Sequence, residues 1–238
     1  MSVRIGTAGW AIPRTAAPAF PSEGSGLERY AAVFNAAEIN STFYRPHKRA
    51  TFERWSSTTP PGFRFSVKAP KAVTHERHLV DADDLMAAFL DDISALGSKL
   101  GPVLVQLPPS LVFNPATAEA FFEALRHRYS GPLVVEPRHA SWFEPDAEHL
   151  LQGASAARAA ADPARVPAAA EPGGFALPEY WRWHGSPHMY RSGYDTAELA
   201  ALAARLALAP EDSWVIFDNT TLGRAAADAL ALKGLIGG

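Results

Sequence analysis

Short apolar runs that close on a polar side chain alternate with amphipathic helical stretches along the whole of this 238-residue chain. No other feature restricts the fold as much, because strand–helix alternation implies parallel strands covered by helices. Strand-like runs fall at 3–10, 37–41, 63–68, 102–107, 133–136, 179–183 and 213–217, with 157–162 a further candidate. Helix signals lie between them. Ser25-x-x-Glu28 is a capping box ahead of Leu27, Tyr30, Ala31 and Phe34 at helical spacing. A basic helix covers 48–58, and Asp83 or Asp84 is expected to cap one in which Leu85, Met86, Phe89, Leu90, Ile93 and Leu96 make one apolar face, ending near Gly97. Asn114-Pro115 starts another that runs to about Tyr129. A short helix follows at 143–152, Asp195-x-x-Glu198 opens one on Leu199, Leu202 and Leu206, and a last one runs to about Leu235. Residues 153–178 are rich in Ala, Pro and Gly and read as loop apart from the candidate strand.

Eight strands, all but one followed by a helix, fit a closed α/β barrel, a (β/α)8 TIM-like barrel with one irregular unit at 153–178, better than an open sheet. The lack of G-x-G-x-x-G and Walker patterns points the same way. The expected organisation is one barrel domain over residues 1–238. With no cysteine, disulfides, thiolate catalysis and cysteine metal sites are excluded. No apolar stretch approaches the ~18 residues of a membrane span, and no leader is expected ahead of the first strand. The expectations are therefore no membrane partner and a cytoplasmic location. Charge is uneven: residues 1–80 carry eleven Lys/Arg against five Asp/Glu, a balance that suits an anionic ligand.

In such barrels the carboxyl-terminal strand ends form the functional face. Asn40, Lys68, Gln106, Glu136, Arg138, Asp162, His184, Asp218 and Asn219 stand at or just past those ends, with Tyr44, Lys71, His75, His139 and Tyr190 in the loops beyond. Burying ionisable groups costs several kcal/mol unless they are paired or solvated. A polar residue closing nearly every strand therefore suggests a bowl that holds something. Lys68, Lys71 and Arg138 are candidates to converge on a phosphate or carboxylate, against the alternative that they pair with Glu136 or Asp162. Glu38, early in its strand, is expected simply to pair with an interior Lys or Arg.

Between 45 and 77, eight Lys/Arg against two acids are interleaved with Phe52, Trp55, Phe63 and Phe65. Phosphate contacts and base stacking need such a mixture, but those aromatics also sit at core spacing, which favours a solvated basic helix face. His75-Glu-Arg-His78 lacks the i, i+4 spacing of zinc proteases. His139, His184, Glu136 and Asp162 would supply a hydrolytic metal cluster if they met. Acid–base chemistry by His184 with Glu136 or Asp162 needs no metal.

Gly6-Thr-Ala-Gly-Trp10, Glu38-Ile-Asn-Ser-Thr-Phe-Tyr44, Phe63-Arg-Phe-Ser-Val-Lys-Ala-Pro70, Gln106-Leu-Pro-Pro109, Glu136-Pro-Arg-His-x-Ser-Trp142 and Arg182-Trp-His-Gly185 together resemble the YecE-like proteins, domain of unknown function 72. The resemblance runs through the chain in order. It implies a TIM barrel and no settled activity, with only a loose likeness of fold to barrel endonucleases that use metal clusters. This chain departs from the family pattern at Pro137, at Asp218 in place of the first Asn of Phe-Asn-Asn, and in the segment Gly223 to Asp228.

The expected function is an enzyme acting on a phosphorylated or sugar-like anion. Lys68 and Arg138 would hold the anion, and Asn40, Gln106 and Asn219 would orient it. Tyr44, His139, Tyr190 and Asp218 would complete the ligand site, with His184, Glu136 and Asp162 as catalytic residues. No cofactor is expected. A non-catalytic binder of an anionic metabolite or nucleic acid is the alternative, and a nuclease using a divalent metal stands third.

Overall fold

A computed structural model of the chain describes residues 3–237. Strands β1 (Arg4–Thr7), β2 (Ala36–Ile39), β3 (Arg64–Lys68), β4 (Leu100–Gln106) and β5 (Leu133–Glu136) are followed by β6 (Ala156–Arg158), β7 (Ala160–Asp162), a two-residue β8 (Gly173–Gly174), β9 (Tyr180–Trp183) and β10 (Trp214–Phe217). The order β2-β3-β4-β5-β6 is parallel throughout, as is β1-β10-β9-β7. Two seams join these sheets. At one, Ala8 bridges Glu38, and the Gly9 N–H donates to the Glu38 carbonyl at 2.8 Å. At the other, β6 runs through Ala159 into β7, so that a single stretch pairs first with β5 and then with β9. The ring closes on eight strand positions, as the alternation predicts.

Helices α1 (Gly26–Ala31), α2 (Arg49–Thr58), α3 (Asp83–Ile93), α4 (Pro115–Arg128), α5 (Pro145–Gly153), α6 (Thr196–Leu206) and α7 (Arg224–Ile236) cover the outside. Both sequence-predicted capping boxes form: Ser25 with Glu28, and Asp195 with Glu198. Asn114 Oδ1 accepts from the Thr117 N–H at 3.0 Å, with Pro115 in the first turn. The cap of α3 is a correction, since Ala82 holds that position. Asp83 and Asp84 sit in the first turn, paired with Arg128 and Arg77.

The segment 153–178 holds more than the single strand anticipated. A 3-10 turn at Pro167–Ala170 and the antiparallel β8 pack back onto β6. Arg158 anchors them by donating to the carbonyls of Ala168 (2.8 Å) and Glu171 (3.1 Å) while pairing with Glu148 at 3.0 Å. A long-range hydrogen-bonded clamp of this kind leaves no periodicity to read.

Inside the ring, Ala36, Leu104, Val134, Ala157, Tyr180, Trp214 and Ile216 form an apolar plug. A separate, larger apolar layer fills the space between strands and helices. β1 and β2 approach so closely that a Cβ on Gly6 would collide with the Ala36 carbonyl. Among the described residues, no helix is long and apolar enough to cross a membrane.

Candidate active site

Side chains alternate between the two faces of a strand, and that parity builds the site. Directly above the plug, the inward positions carry Glu38, Ser66, Glu136, Arg182 and Asp218. Arg182 is the hub and is 0% exposed. Its guanidinium grips Glu38 through Nε to Oε2 (3.0 Å) and Nη2 to Oε1 (2.8 Å), a bidentate pair. It also donates from Nη1 to Glu136 Oε2 (2.9 Å), and Nη2 lies 2.9 Å from Asp218 Oδ2. The Tyr180 hydroxyl bridges Glu38 (3.0 Å) and Ser66 (2.8 Å) from below. Glu38 thus has the interior basic partner expected of it.

One layer further out, Arg138 donates to Glu136 Oε1 (Nε, 3.0 Å) and to the Tyr190 hydroxyl (Nη1, 3.0 Å). His184, 1% exposed, stands between two carboxylates: Nε2 is 3.0 Å from Glu136 Oε1, and Nδ1 is 3.1 Å from Asp218 Oδ2. Both contacts are hydrogen bonds only when the ring carries both protons. The ring is then a proton donor held in place rather than a base with a free lone pair.

The electrostatics follow from this packing. Burial pushes Glu136 up, but Arg138, Arg182 and His184 outweigh it and hold the carboxyl well below its usual range. Burial likewise opposes Asp218, whose pKa is nevertheless lowered by Arg182 and His184. Arg182 is desolvated, yet Asp218, Glu38 and Glu136 more than compensate and raise its pKa. Glu136, Asp218 and Arg182 are therefore held in their ionised forms.

Lys68 is the exception. It is 5% exposed and lies 4.0 Å above the Phe43 ring, with no hydrogen-bond or ion-pair partner among the described residues. Burial, and then the Arg182 charge, lower its pKa to about 8 against the opposing pull of Glu38, Glu136 and Asp218. Asn40, whose Oδ1 is buried without a hydrogen-bond partner among the described residues, follows β2 at the position facing Lys68 in the β2–β3 register.

The structure thus brings together Lys68, Glu136, Arg138, His184, Tyr190 and Asp218. Gln106 ends β4 in register with Glu136, and its Nε2 donates to the neighbouring Leu107 carbonyl at 3.2 Å. Other expected residues lie elsewhere. Asp162 is out of phase with the inward alanines Ala157 and Ala159, and its carboxylate accepts from the Tyr194 hydroxyl at 2.9 Å rather than meeting His184 or Glu136. Asn219, next to the inward Asp218, faces the other way and donates to Ser192 O (2.8 Å) and Asp228 Oδ2 (2.6 Å). His139 Nδ1 accepts from the Ser141 backbone N–H at 3.2 Å, and so caps a turn. Tyr44 is 68% exposed, on the lip of a groove of about 350 Å³ outside the barrel. Lys71 pairs with Glu76 at 3.0 Å, which removes it from the anion trio. Phe52, Phe63 and Phe65 are core residues, so the basic stretch has lost most of its stacking platform for nucleic acid.

Arg182 was missing from the expected site residues. The signal was present, because Tyr180, Arg182 and His184 share one face of a strand by the same alternation. His75, expected in a loop and considered with His78 for metal binding, is in neither role. It lies on a short π-helix, Ala72–Glu76, with its ring against Phe43 and its pKa lowered by burial and by Lys68 and Arg138. Among the described residues, no three or more His, Asp or Glu side chains are grouped so as to hold a metal ion.

These features define a parallel (β/α)8 barrel whose carboxyl-terminal mouth is built on a buried, internally paired charge cluster. The chain matches the family described as "Protein of unknown function DUF72" over residues 4–238, and it belongs to that family. The UPF0759 protein YecE of Escherichia coli K12 is 33% identical over 144 residues, which cover 59% of this chain and 50% of that protein. The UPF0759 protein YunF of Bacillus subtilis 168 is 28% identical over 150 residues, covering 60% and 53%. The matches thus span about half the length of these relatives. A DUF72 family protein from Thermotoga maritima superposes with a TM-score of 0.80 at 27% identity over 100% of both chains. D-allulose 3-epimerase from a Methylomonas species superposes with a TM-score of 0.52 at 13% identity, covering 98% and 96%, a likeness of fold alone.

Proposed function

We propose that the barrel mouth binds a small phosphorylated or sugar-like anion and carries out acid–base chemistry on it. One observation carries this: every other charge of the inner layer is paired, while Lys68 is a buried cation with no partner among the described residues. A desolvated ammonium is expensive to keep, and an anionic ligand would supply the missing counter-charge. Arg138, at the outer edge of the cluster and paired with Glu136, is the further cation that could meet the anion. His184, with a carboxylate on each ring nitrogen, is the proton donor, and Glu136 fixes its orientation.

The crevice beside Glu136, Arg138 and His184 measures about 10 Å³, enough for one water molecule. Productive binding therefore requires the loop that carries Met189 and Tyr190 to move. The same closure favours the second reading, a binder without chemistry, since His184 is only 1% exposed.

A thermal-shift screen of sugar phosphates, carboxylates and nucleotides against wild type and Lys68→Met tests the proposal. A ligand at about 100 times its Kd adds roughly 2.7 kcal/mol, and that rise should vanish in the variant. Equal shifts in both proteins, or none in either, would sink the anion site. His184→Gln separates the two readings: lost turnover with retained binding supports the enzyme, and weakened binding alone supports the binder.

A further inference from the structure

Lys68 is one of five lysines, with Lys48, Lys71, Lys99 and Lys233. Lys71 is ion-paired with Glu76. Lys99 is pinned by its ammonium to the carbonyls of Ser56 and Thr59, and Lys233 to that of Val33. Lys48 is exposed on the surface. Lys68 alone combines burial with an uncommitted Nζ, at the carboxyl end of a barrel strand and against an aromatic face. Its charge is set by burial, by Arg182 and, in opposition, by Glu38, Glu136 and Asp218, while His75, on the short π-helix, is near enough for the Lys68 charge to lower its pKa. A point charge meant only to grip an anion has no need of such a dry setting. An amine that must be neutral to react does.

We propose that Lys68 is an imine-forming nucleophile, and that the ligand of this mouth is a carbonyl compound with an anionic group: an α-keto acid or a phosphorylated aldose or ketose. The inference deepens the anion-binding function and rests on it. Lys68 first gives up a proton. The free amine then attacks the carbonyl carbon, a C–N bond forms, and the carbonyl π pair moves to oxygen, which takes up a proton while the nitrogen, cationic after the attack, gives one up and so regains its lone pair. The carbinolamine hydroxyl leaves as water with a further proton, and the nitrogen lone pair closes the C=N bond. Overall, an ammonium and a carbonyl become an iminium and water with no change in charge. With a pKa of about 8, about a quarter of Lys68 is free amine at pH 7.5, against roughly one part in a thousand for an ordinary lysine.

The experiment traps the imine. Wild-type protein is incubated at pH 7.5 with pyruvate, glyceraldehyde 3-phosphate or the neutral glycolaldehyde. Borohydride then reduces C=N to a stable secondary amine, and a digest is mapped by mass spectrometry. The expected result is an adduct on Lys68 that forms at least tenfold faster than on Lys48. Labelling of the lysines in order of exposure, or none at Lys68, overturns the inference without help from any variant. Lys68→Arg keeps the cation and removes the nucleophile, so it should retain the anion-induced thermal shift and lose the adduct. Shifts in both proteins with Lys68 unlabelled would refute the imine and leave the anion site standing. Labelling by glycolaldehyde with no anion-induced shift would support the nucleophile and remove the anion.

Discussion

Arg182 and Lys68 are opposite solutions to the burial of a cation. Arg182 is fully enclosed and satisfied by three carboxylates, so it serves the architecture. Removing one member of such a buried set leaves uncompensated charge, at a cost of about 3–5 kcal/mol. Arg182→Met should lower unfolding free energy by that amount at pH 7 in urea titrations, and a loss under 1 kcal/mol would show that the cluster does not stabilise the barrel. The pH dependence has a definite sign. Glu136 and Asp218 have folded pKa values below their unfolded ones. Their contribution is present above about pH 4 and is lost as pH falls through the lower folded values, an acid limb that Arg182→Met should flatten. Lys68 behaves the other way. Its folded pKa of about 8 lies below the ordinary 10.5, which is a penalty on the order of 3 kcal/mol below pH 8, fading as pH rises toward 10. Lys68→Met should therefore stabilise the ligand-free protein by about 1–3 kcal/mol at pH 7 and converge with wild type above about pH 10. A destabilised variant would mean that Lys68 holds the fold together.

At the scale of elements, legibility followed the range of the forces involved. Caps and apolar periodicity are local, so Ser25, Asn114 and Asp195 announced their helices in the sequence. The choice between Asp83 and Asp84 as a cap failed because arginines on α4 and on the loop before α3 recruit both carboxylates instead. Strand parity was also local, and it would have set Asp162 and Asn219 outside the bowl and Arg182 within it. The unit at 163–178 was illegible for a different reason, because it is tied down by Arg158 across ten and more residues rather than by its own pattern. Arg158→Ala should release this segment, giving rapid limited proteolysis between 163 and 178 with a loss of about 1–3 kcal/mol from the carbonyls left unsatisfied. Wild-type resistance to cleavage in the variant would contradict the clamp.

At the scale of the whole molecule, the barrel interior is layered. An apolar plug fills the lower half, a layer of paired charges lies above it, and Lys68 stands at the mouth with no partner among the described residues. Family membership agrees with the fold and is silent on chemistry. The clearest measurement is therefore a pH titration of the lysine side-chain nitrogens by NMR, with and without a sugar phosphate and with Lys68→Arg for assignment. One lysine of the five should titrate near pH 8 and move upward by a unit or more when the anion binds, since an added negative charge favours the ammonium. If all five titrate near their ordinary value and none responds to the anion, Lys68 is not the receptor at the mouth of this barrel.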